Sequence, residues 1–227
     1  MSATRILVVE DEEDLRELLR YRLEQEGFQV EGVGRGDEAL EKLRERLPDL
    51  MLLDLMLPGL DGLELAKIVK RDPRLCKLPL IMLTAKGEEV DRIVGLELGA
   101  EDYITKPFSP REVALRIKAV LRRIESQGSD EGALEIDGLR LDIAGHRLFV
   151  REKEVVLTAT EFRLLKVLAE RRGRVQTRGQ LLSDVWGYSQ EVDSRTIDTH
   201  IRRLRQKLGV EADRIETVIG VGYRLRG

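Results

Sequence analysis

The sequence predicts two units of different class. The first is α/β, a doubly wound five-stranded parallel sheet; the second is a smaller α+β unit of short strands, three helices and a terminal hairpin. Three observations carry this. Short apolar runs alternate with helical patterns through the first 124 residues. A polar stretch rich in Gly, Ser and acid, IESQGSDEG at 124–132, then breaks the pattern. Beyond it the apolar spacing shortens and turns become frequent. The expected organisation is 1–123, a flexible linker at 124–132, and 133–227.

In chain order, apolar runs fall at about 5–9 (RILVV), 29–33 (QVEGV), 50–54 (LMLLD), 79–84 (PLIMLT) and 102–105 (DYIT). The first, third and fourth are nearly continuous, as expected of strands buried on both faces. Between them apolar residues recur at helical spacing: Leu15, Leu18, Leu19 and Leu23; Ala39, Leu40, Leu43 and Leu47; Leu63, Ala66, Ile68 and Val69; Val90, Ile93, Val94 and Leu98. Val113, Leu115, Ile117, Val120 and Leu121 close the series. Repeated βα units of this length wind a parallel sheet. Residues 133–157 alternate in short pieces around Gly and Asp, predicting a small antiparallel sheet. Helices are expected at about 159–171, 178–186 and 195–208, with Thr158 or Thr160 capping the first and Thr177 the second. IETVIGVGYRLR at the end reads as a hairpin. Three helices and a hairpin outline a winged helix.

The totals exclude several classes. No run approaches the roughly 20 apolar residues of a membrane span, and the N-terminus has no signal-peptide pattern. A lone cysteine, Cys76, permits no internal disulfide and fits a reducing, cytoplasmic setting. Net charge is −3, which alone argues against a nucleic-acid partner. Its distribution argues the other way: residues 1–124 hold 21 basic and 25 acidic residues, whereas 195–227 hold 8 basic and 4 acidic.

Ligands of open α/β sheets bind beyond the carboxyl ends of the strands. Strand 1 ends in Glu10 and Asp11, strand 3 in Asp54, strand 4 in Thr84 and strand 5 in Lys106. Three carboxylates, a hydroxyl and an ammonium are therefore expected on one edge. Clustered carboxylates repel unless a cation joins them, and Mg²⁺ takes oxygen ligands. A carboxylate can be a nucleophile and become an aspartyl phosphate, with Lys106 and Thr84 placed to meet the transferred group. Asp54, from a central strand, is the candidate nucleophile. Glu12, Glu13 and Asp14 are better read as first-turn helix residues suited to the helix dipole.

ILVVEDEEDLRELL, PDLMLLDLMLPGLDGLEL, LPLIMLTAKGEEVD and GAEDYITKPFSPREV resemble the receiver domain of two-component response regulators over residues 4–123. The resemblance implies the flavodoxin-like strand order 2-1-3-4-5. It implies that Glu10, Asp11, Asp54 and the Met56 backbone carbonyl bind Mg²⁺. Asp54 would then accept a phosphoryl group from a histidine kinase, Thr84 and Lys106 would contact it, and Tyr103 would be the aromatic switch.

In the second half, Ile197, Ile201, Leu204 and Leu208 form one apolar stripe of the 195–208 helix. Arg195, Thr199, Arg202, Arg203 and Gln206 lie opposite, with His200 and Arg205 on the flanks. Arg, Thr and Gln suit contact with phosphates and base edges. LTATEFRLLKVL, QLLSDVWG, SRTIDTHIRRLRQKL and IETVIGVGYRL resemble the DNA-binding domain of the OmpR/PhoB subfamily of regulators, over 133–227, with phosphate-regulon members alike through both halves. By that resemblance this helix enters the major groove. Arg203 and Arg205 would reach bases or nearby phosphates, and Arg195, Thr196, His200 and Arg202 mostly phosphates. The loop from Trp186 to Ser194 would meet RNA polymerase holoenzyme. The family's wing usually carries a basic residue before its Gly-x-Gly-Tyr turn, where this chain has Ile219. Arg224 or Arg226 is therefore expected to supply backbone contact at most.

The family dimerises on phosphorylation through the face formed by the helix near 90–98, the strand at 102–105 and the helix that follows. Arg92–Glu112, Asp102–Arg116 and Glu101–Lys118 are expected to pair across such a dimer. The favoured reading is a phosphorylation-activated DNA-binding transcription regulator. A Mg²⁺-dependent phosphatase working through an aspartyl phosphate is the alternative; such enzymes usually place a second Asp two residues after the nucleophile, where this chain has Met56. A nucleotide-binding module is a third, weakened because no Gly-rich loop follows strand 1.

Overall fold

A computed structural model describes residues 3–84, 99–125, 132–186 and 195–226. The chain divides into two compact units, 1–123 and 124–227. The expected helix around Val90–Leu98 lies outside the described residues.

In the first unit, β1 (Arg5–Val9), β2 (Gln29–Val33), β3 (Leu50–Asp54), β4 (Leu80–Thr84) and β5 (Asp102–Thr105) make one sheet in the order β2-β1-β3-β4-β5. Every pairing is parallel. Chain order reverses at β1, which pairs β2 on one side and β3 on the other. That is the switch point at which such sheets open a crevice for ligands. β4 begins one residue later than its apolar run, because Pro79 has no N–H for the ladder; its carbonyl still accepts from Met51 N–H at 2.9 Å.

The helices are α1 (Glu13–Gln25), α2 (Gly36–Glu45), α3 (Gly62–Arg71) and α4 (Pro110–Glu125). Leu7, Val9, Met51, Leu53 and Met82 from the strands join Ala39, Leu43, Leu65, Ala66 and Val69 from α2 and α3 in one core. β3 and β4 are buried along their whole length, matching their uninterrupted apolar sequences.

The second unit opens with an antiparallel sheet of β6 (Ala133–Ile136), β7 (Leu139–Asp142), β8 (Arg147–Val150) and β9 (Lys153–Val155). Then come α5 (Ala159–Glu170), β10 (Gln176–Thr177), α6 (Arg178–Trp186), α7 (Arg195–Leu208), a 3-10 turn at Gly209–Arg214, β11 (Ile215–Val218) and β12 (Gly222–Leu225). β11 and β12 form the wing, and β10 adds a short third strand beside β12. Gly222 permits that last pairing: a Cβ there would lie 2.0 Å from the Gln176 carbonyl oxygen. The core joins Phe162, Leu165, Leu181, Val185 and Trp186 to the α7 stripe Ile197, Ile201, Leu204 and Leu208, and to Ile215, Tyr223 and Leu225.

Of the two candidate caps for α5, Thr158 is the one used. Its hydroxyl accepts from Glu161 N–H at 3.2 Å, and the Glu161 carboxylate accepts from Thr158 N–H at 2.9 Å, a reciprocal capping box. Thr177 caps α6 through Gln180 N–H at 3.2 Å. Thr158→Ala is expected to cost about 0.5–2 kcal/mol, the usual cost of losing such a cap. Urea unfolding of the full chain followed by the fluorescence of Trp186, its one tryptophan, measures this; an unshifted midpoint would mean that the box is energetically idle.

Candidate functional site: an acidic phosphoryl pocket and a winged helix

The carboxyl ends of the strands bring together what the sequence placed there. Glu10 and Asp11 follow β1, Asp54 ends β3, Thr84 ends β4 and Lys106 follows β5. Glu10, Asp11 and Asp54 each offer a carboxylate oxygen within 4.8 Å of the others. Glu10 and Asp54 are buried and Asp11 is exposed, so the cluster is reached from one side.

Lys106 spans the gap. Its ammonium donates to both oxygens of Glu10 at 3.0 and 2.9 Å and to Asp54 Oδ2 at 2.5 Å. Asp54 Oδ1 accepts from the Met56 N–H at 2.9 Å. Burial, with Asp54 alongside, pushes the Glu10 carboxyl up to about 7 although Lys106 pulls against it. Burial lowers the Lys106 ammonium, but the hydrogen bonds and charges of Asp54 and Glu10 outweigh it and leave the group raised.

Two further features suit this pocket to an incoming phosphoryl group and a cation. The buried Thr84 hydroxyl has no hydrogen-bond partner among the described residues, so it has a donor to give. The oxygen-only set of Glu10, Asp11 and Asp54 fits Mg²⁺, which binds a few carboxylates and keeps waters and phosphate oxygens for the rest.

The supporting residues were less visible in the sequence. Arg16, one turn into α1, donates to the carbonyls of Glu10 at 2.7 Å and Asp11 at 3.2 Å and ties down the loop carrying both acids. Asp61 caps α3 through Leu63 and Glu64 N–H. Gly62, at the start of α3, lets that helix press onto the strand end: a Cβ would lie 2.1 Å from the Asp54 carbonyl oxygen. Glu12 is the N-cap residue of α1, without a side-chain cap bond, and Glu13 and Asp14 occupy the first turn.

In the second unit, all four α7 stripe residues are buried and Arg202 is exposed. The wing is docked on α7 and α6 by Asp198, which accepts from the Tyr223 hydroxyl at 2.7 Å and from Arg178 Nε at 2.7 Å.

Residues 6–118 match the response regulator receiver domain, and residues 152–225 match the transcriptional regulatory protein C-terminal domain. The chain is 50% identical to the phosphate regulon transcriptional regulatory protein PhoB of Rhizobium meliloti, over 97% of this chain and 98% of that one. The chain belongs to the OmpR/PhoB response regulators. Among other relatives, Escherichia coli PhoB is 49% identical over 98% and 97% of the two chains. The Bacillus subtilis alkaline phosphatase synthesis regulator PhoP is 44% identical over 97% and 96%. Among solved structures, a RitR mutant superposes with a TM-score of 0.77 at 30% identity, covering 99% and 100%. Thermotoga maritima DrrB, an OmpR/PhoB homolog, gives 0.51 at 31% identity with both chains fully covered. This response regulator is a phosphorylation-dependent transcription regulator of a two-component system.

Several residues expected to serve DNA or dimer contacts are placed otherwise. His200 is buried, its ring 5.0 Å from that of Trp186, because its position on α7 borders the stripe. Arg205 turns back to the Ile215 carbonyl at 2.6 Å and the Thr217 hydroxyl at 2.8 Å. Arg203 is half-buried. Arg195 and Thr196 lie in the first turn of α7, and nothing is described of their side chains; residues 187–194 lie outside the described residues.

Glu101 is fully buried, accepting from Leu80 N–H at 2.5 Å and lying 3.5 Å from the Lys70 ammonium. A fully desolvated carboxylate cannot meet Lys118 of another copy, and Lys118 pairs within the chain with Glu26. Asp102 and Glu112 both meet Arg116 within the chain, at 3.4 and 3.3 Å. Arg92 lies outside the described residues. Tyr103 is half-buried against the core of the first unit.

The close approach at Gly62 gives a direct test. Gly62→Ala is expected to destabilise the receiver by about 1–3 kcal/mol, the range for overpacking against groups that cannot yield. Thermal unfolding followed by far-ultraviolet circular dichroism reads this, and a wild-type midpoint would show that the backbone gives way freely.

Proposed function

We propose that Asp54 is the phosphoacceptor of this regulator and that its phosphorylation, by a histidine kinase, promotes receiver dimerisation and promoter binding. One observation carries the reading: Asp54 shares its sheet edge with a buried hydroxyl that has no partner among the described residues, Thr84, and with the Lys106 ammonium bonded to it. A carboxylate oxygen of Asp54 forms the new O–P bond as the P–N bond of the kinase phosphohistidine breaks, and the leaving imidazole takes a proton. Glu10, Asp11, Asp54 and the Met56 backbone carbonyl would hold Mg²⁺, which when bound supplies positive charge to the phosphoryl oxygens. Lys106 and Thr84 would meet two of those oxygens. Lys106 now donates to Asp54 and Glu10, so phosphorylation at Asp54 gives it a new acceptor and releases its hold on Glu10. Tyr103, on the strand that leads to Lys106, is the residue we assign to sense that change.

The phosphatase alternative has less to stand on. Phosphatases that work through an aspartyl phosphate usually place an Asp acid/base two residues beyond the nucleophile, where this chain has Met56. Thr84 and Lys106 are binding groups in this reading, and the protein's activity is regulatory.

On the DNA side, α7 is assigned to the major groove, with Arg202 and Arg203 contacting DNA and Arg195 and Thr196 at its leading end. Residues 186–194 are assigned to RNA polymerase, and the protein to the cytoplasm; no described helix is long and apolar enough to cross a membrane. Dimerisation through the 102–116 face would exchange the intrachain Asp102–Arg116 pair for its counterpart across the dimer. Asp102 is buried and Arg116 only partly exposed, so the exchange would fix the geometry of the dimer through a partly desolvated pair. A coupling of ~1–3 kcal/mol corresponds to a ~5–150-fold change in DNA affinity.

Acetyl phosphate with Mg²⁺ is expected to add one phosphoryl mass to the wild type and none to Asp54→Ala, and to tighten DNA binding only in the former. Equal labelling of the two would remove Asp54 from the role. Arg116→Glu is expected to abolish dimerisation under acetyl phosphate in sedimentation velocity; an unchanged dimer would exclude Arg116 from that interface.

A further inference from the structure

The wing holds an ion cluster that the family assignment leaves without a role. Glu216 on β11 faces Arg224 directly across the antiparallel pair. Its Oε2 accepts from Arg224 Nε at 2.9 Å, and its Oε1 lies 3.0 Å from Arg226. Alternation places these three on one face of the hairpin, while Ile215, Tyr223 and Leu225 on the other face are buried in the core. The two guanidiniums hold the Glu216 carboxyl down at about 2, so it is ionised whenever DNA could be bound. Arg226 also feels Asp213.

The rest of the wing adds no cation. Its tip is apolar: Ile219 is 93% exposed and Val221 is 45% exposed. Arg205, which approaches the wing from α7, is turned to the Ile215 carbonyl and the Thr217 hydroxyl. A phosphate approaching Arg224 or Arg226 must therefore compete with a carboxylate already seated on both, and it meets like-charge repulsion from that carboxylate.

We propose that Glu216 is a positioning residue that holds Arg224 and Arg226 away from the DNA backbone and so limits the wing's share of DNA binding. This rests on the reading of the second unit as the DNA-binding part. Two arginines and one glutamate leave the hairpin face with a single net positive charge. Affinity then depends mainly on α7, and phosphate binding by the wing is suppressed. A weaker sequence-independent contribution leaves a single copy less able to stay on DNA, and makes occupancy depend more on a second copy at a neighbouring half-site.

Glu216→Gln keeps the shape of the side chain but removes its charge and one of its two acceptor oxygens. Binding to a fluorescently labelled duplex of mixed sequence, measured by anisotropy across a salt series, is the experiment. Each additional phosphate neutralised by the protein steepens the slope of log affinity against log salt by about 0.9 and tightens binding roughly 8-fold at about 0.1 M salt. The variant is expected to neutralise one or two phosphates more than the wild type, uniformly across duplex sequences. Glu216→Asp, which keeps the charge, is expected to retain the wild-type slope. Adding Arg224→Gln and Arg226→Gln to Glu216→Gln is expected to return the slope to the wild-type value. Trp186 fluorescence confirms that each variant is folded, and a fold defect alone would not steepen a salt slope. If wild type and Glu216→Gln bind with the same slope and affinity, the proposal is overturned while the DNA-binding reading stands. If neither binds any duplex, that reading fails and the proposal falls with it.

Discussion

Two buried carboxylates, Glu10 and Asp54, sit beside each other at the ends of β1 and β3, and the rest of the first unit is arranged around that fact. Such charges are unfavourable in a protein interior unless they are paired and hydrogen-bonded. Lys106 reaches in from the end of β5 to bond both. Arg16 fixes the loop that carries Glu10 and Asp11, and the Met56 N–H takes the remaining Asp54 oxygen. Even so, the Glu10 carboxyl stays raised. A site in that condition gains from a further cation.

The sheet order makes the constraint possible. β1 and β3 are neighbours at the switch point, so their terminal acids converge without any loop having to fold inward. β4 and β5 extend the same edge and bring Thr84 and Lys106 from the other side. The apolar strands behind these residues are what allow charged groups to be held so closely. The close approach at Gly62 then fixes the start of α3 against the Asp54 backbone, so the end of β3 is held from both the sheet and the helix side.

The second unit uses charge in a different way. Most of its arginines are committed to intramolecular partners: Arg178 to Asp198, Arg214 to Glu211 and Asp137, Arg224 and Arg226 to Glu216. These bonds join α6 to α7, the 3-10 turn to the β6–β7 turn, and the two strands of the wing to each other. The excess of basic residues in the tail therefore overstates the charge that can be offered to a polyanion. Arg202, exposed on α7, is a better measure of it.

The sequence by itself determined the architecture and which polar residues stand at the strand ends. Apolar periodicity is a local property, so strands such as 50–54 and helices such as 195–208 were placed to the residue. Strand-end position is enough to bring Glu10, Asp54, Thr84 and Lys106 to one edge. Thr177 was recognisable as a cap, and the other was narrowed to Thr158 or Thr160, because a cap bonds to residues two or three positions away. Only the tertiary structure decided what each charged side chain meets. His200 and Arg205 look like DNA contacts on a helical wheel, yet one packs on Trp186 and the other on the wing. Glu101 looks like a surface acid, yet it is buried beside Lys70. Those partners are distant in sequence, and no periodicity encodes which of several nearby charges a flexible side chain will reach.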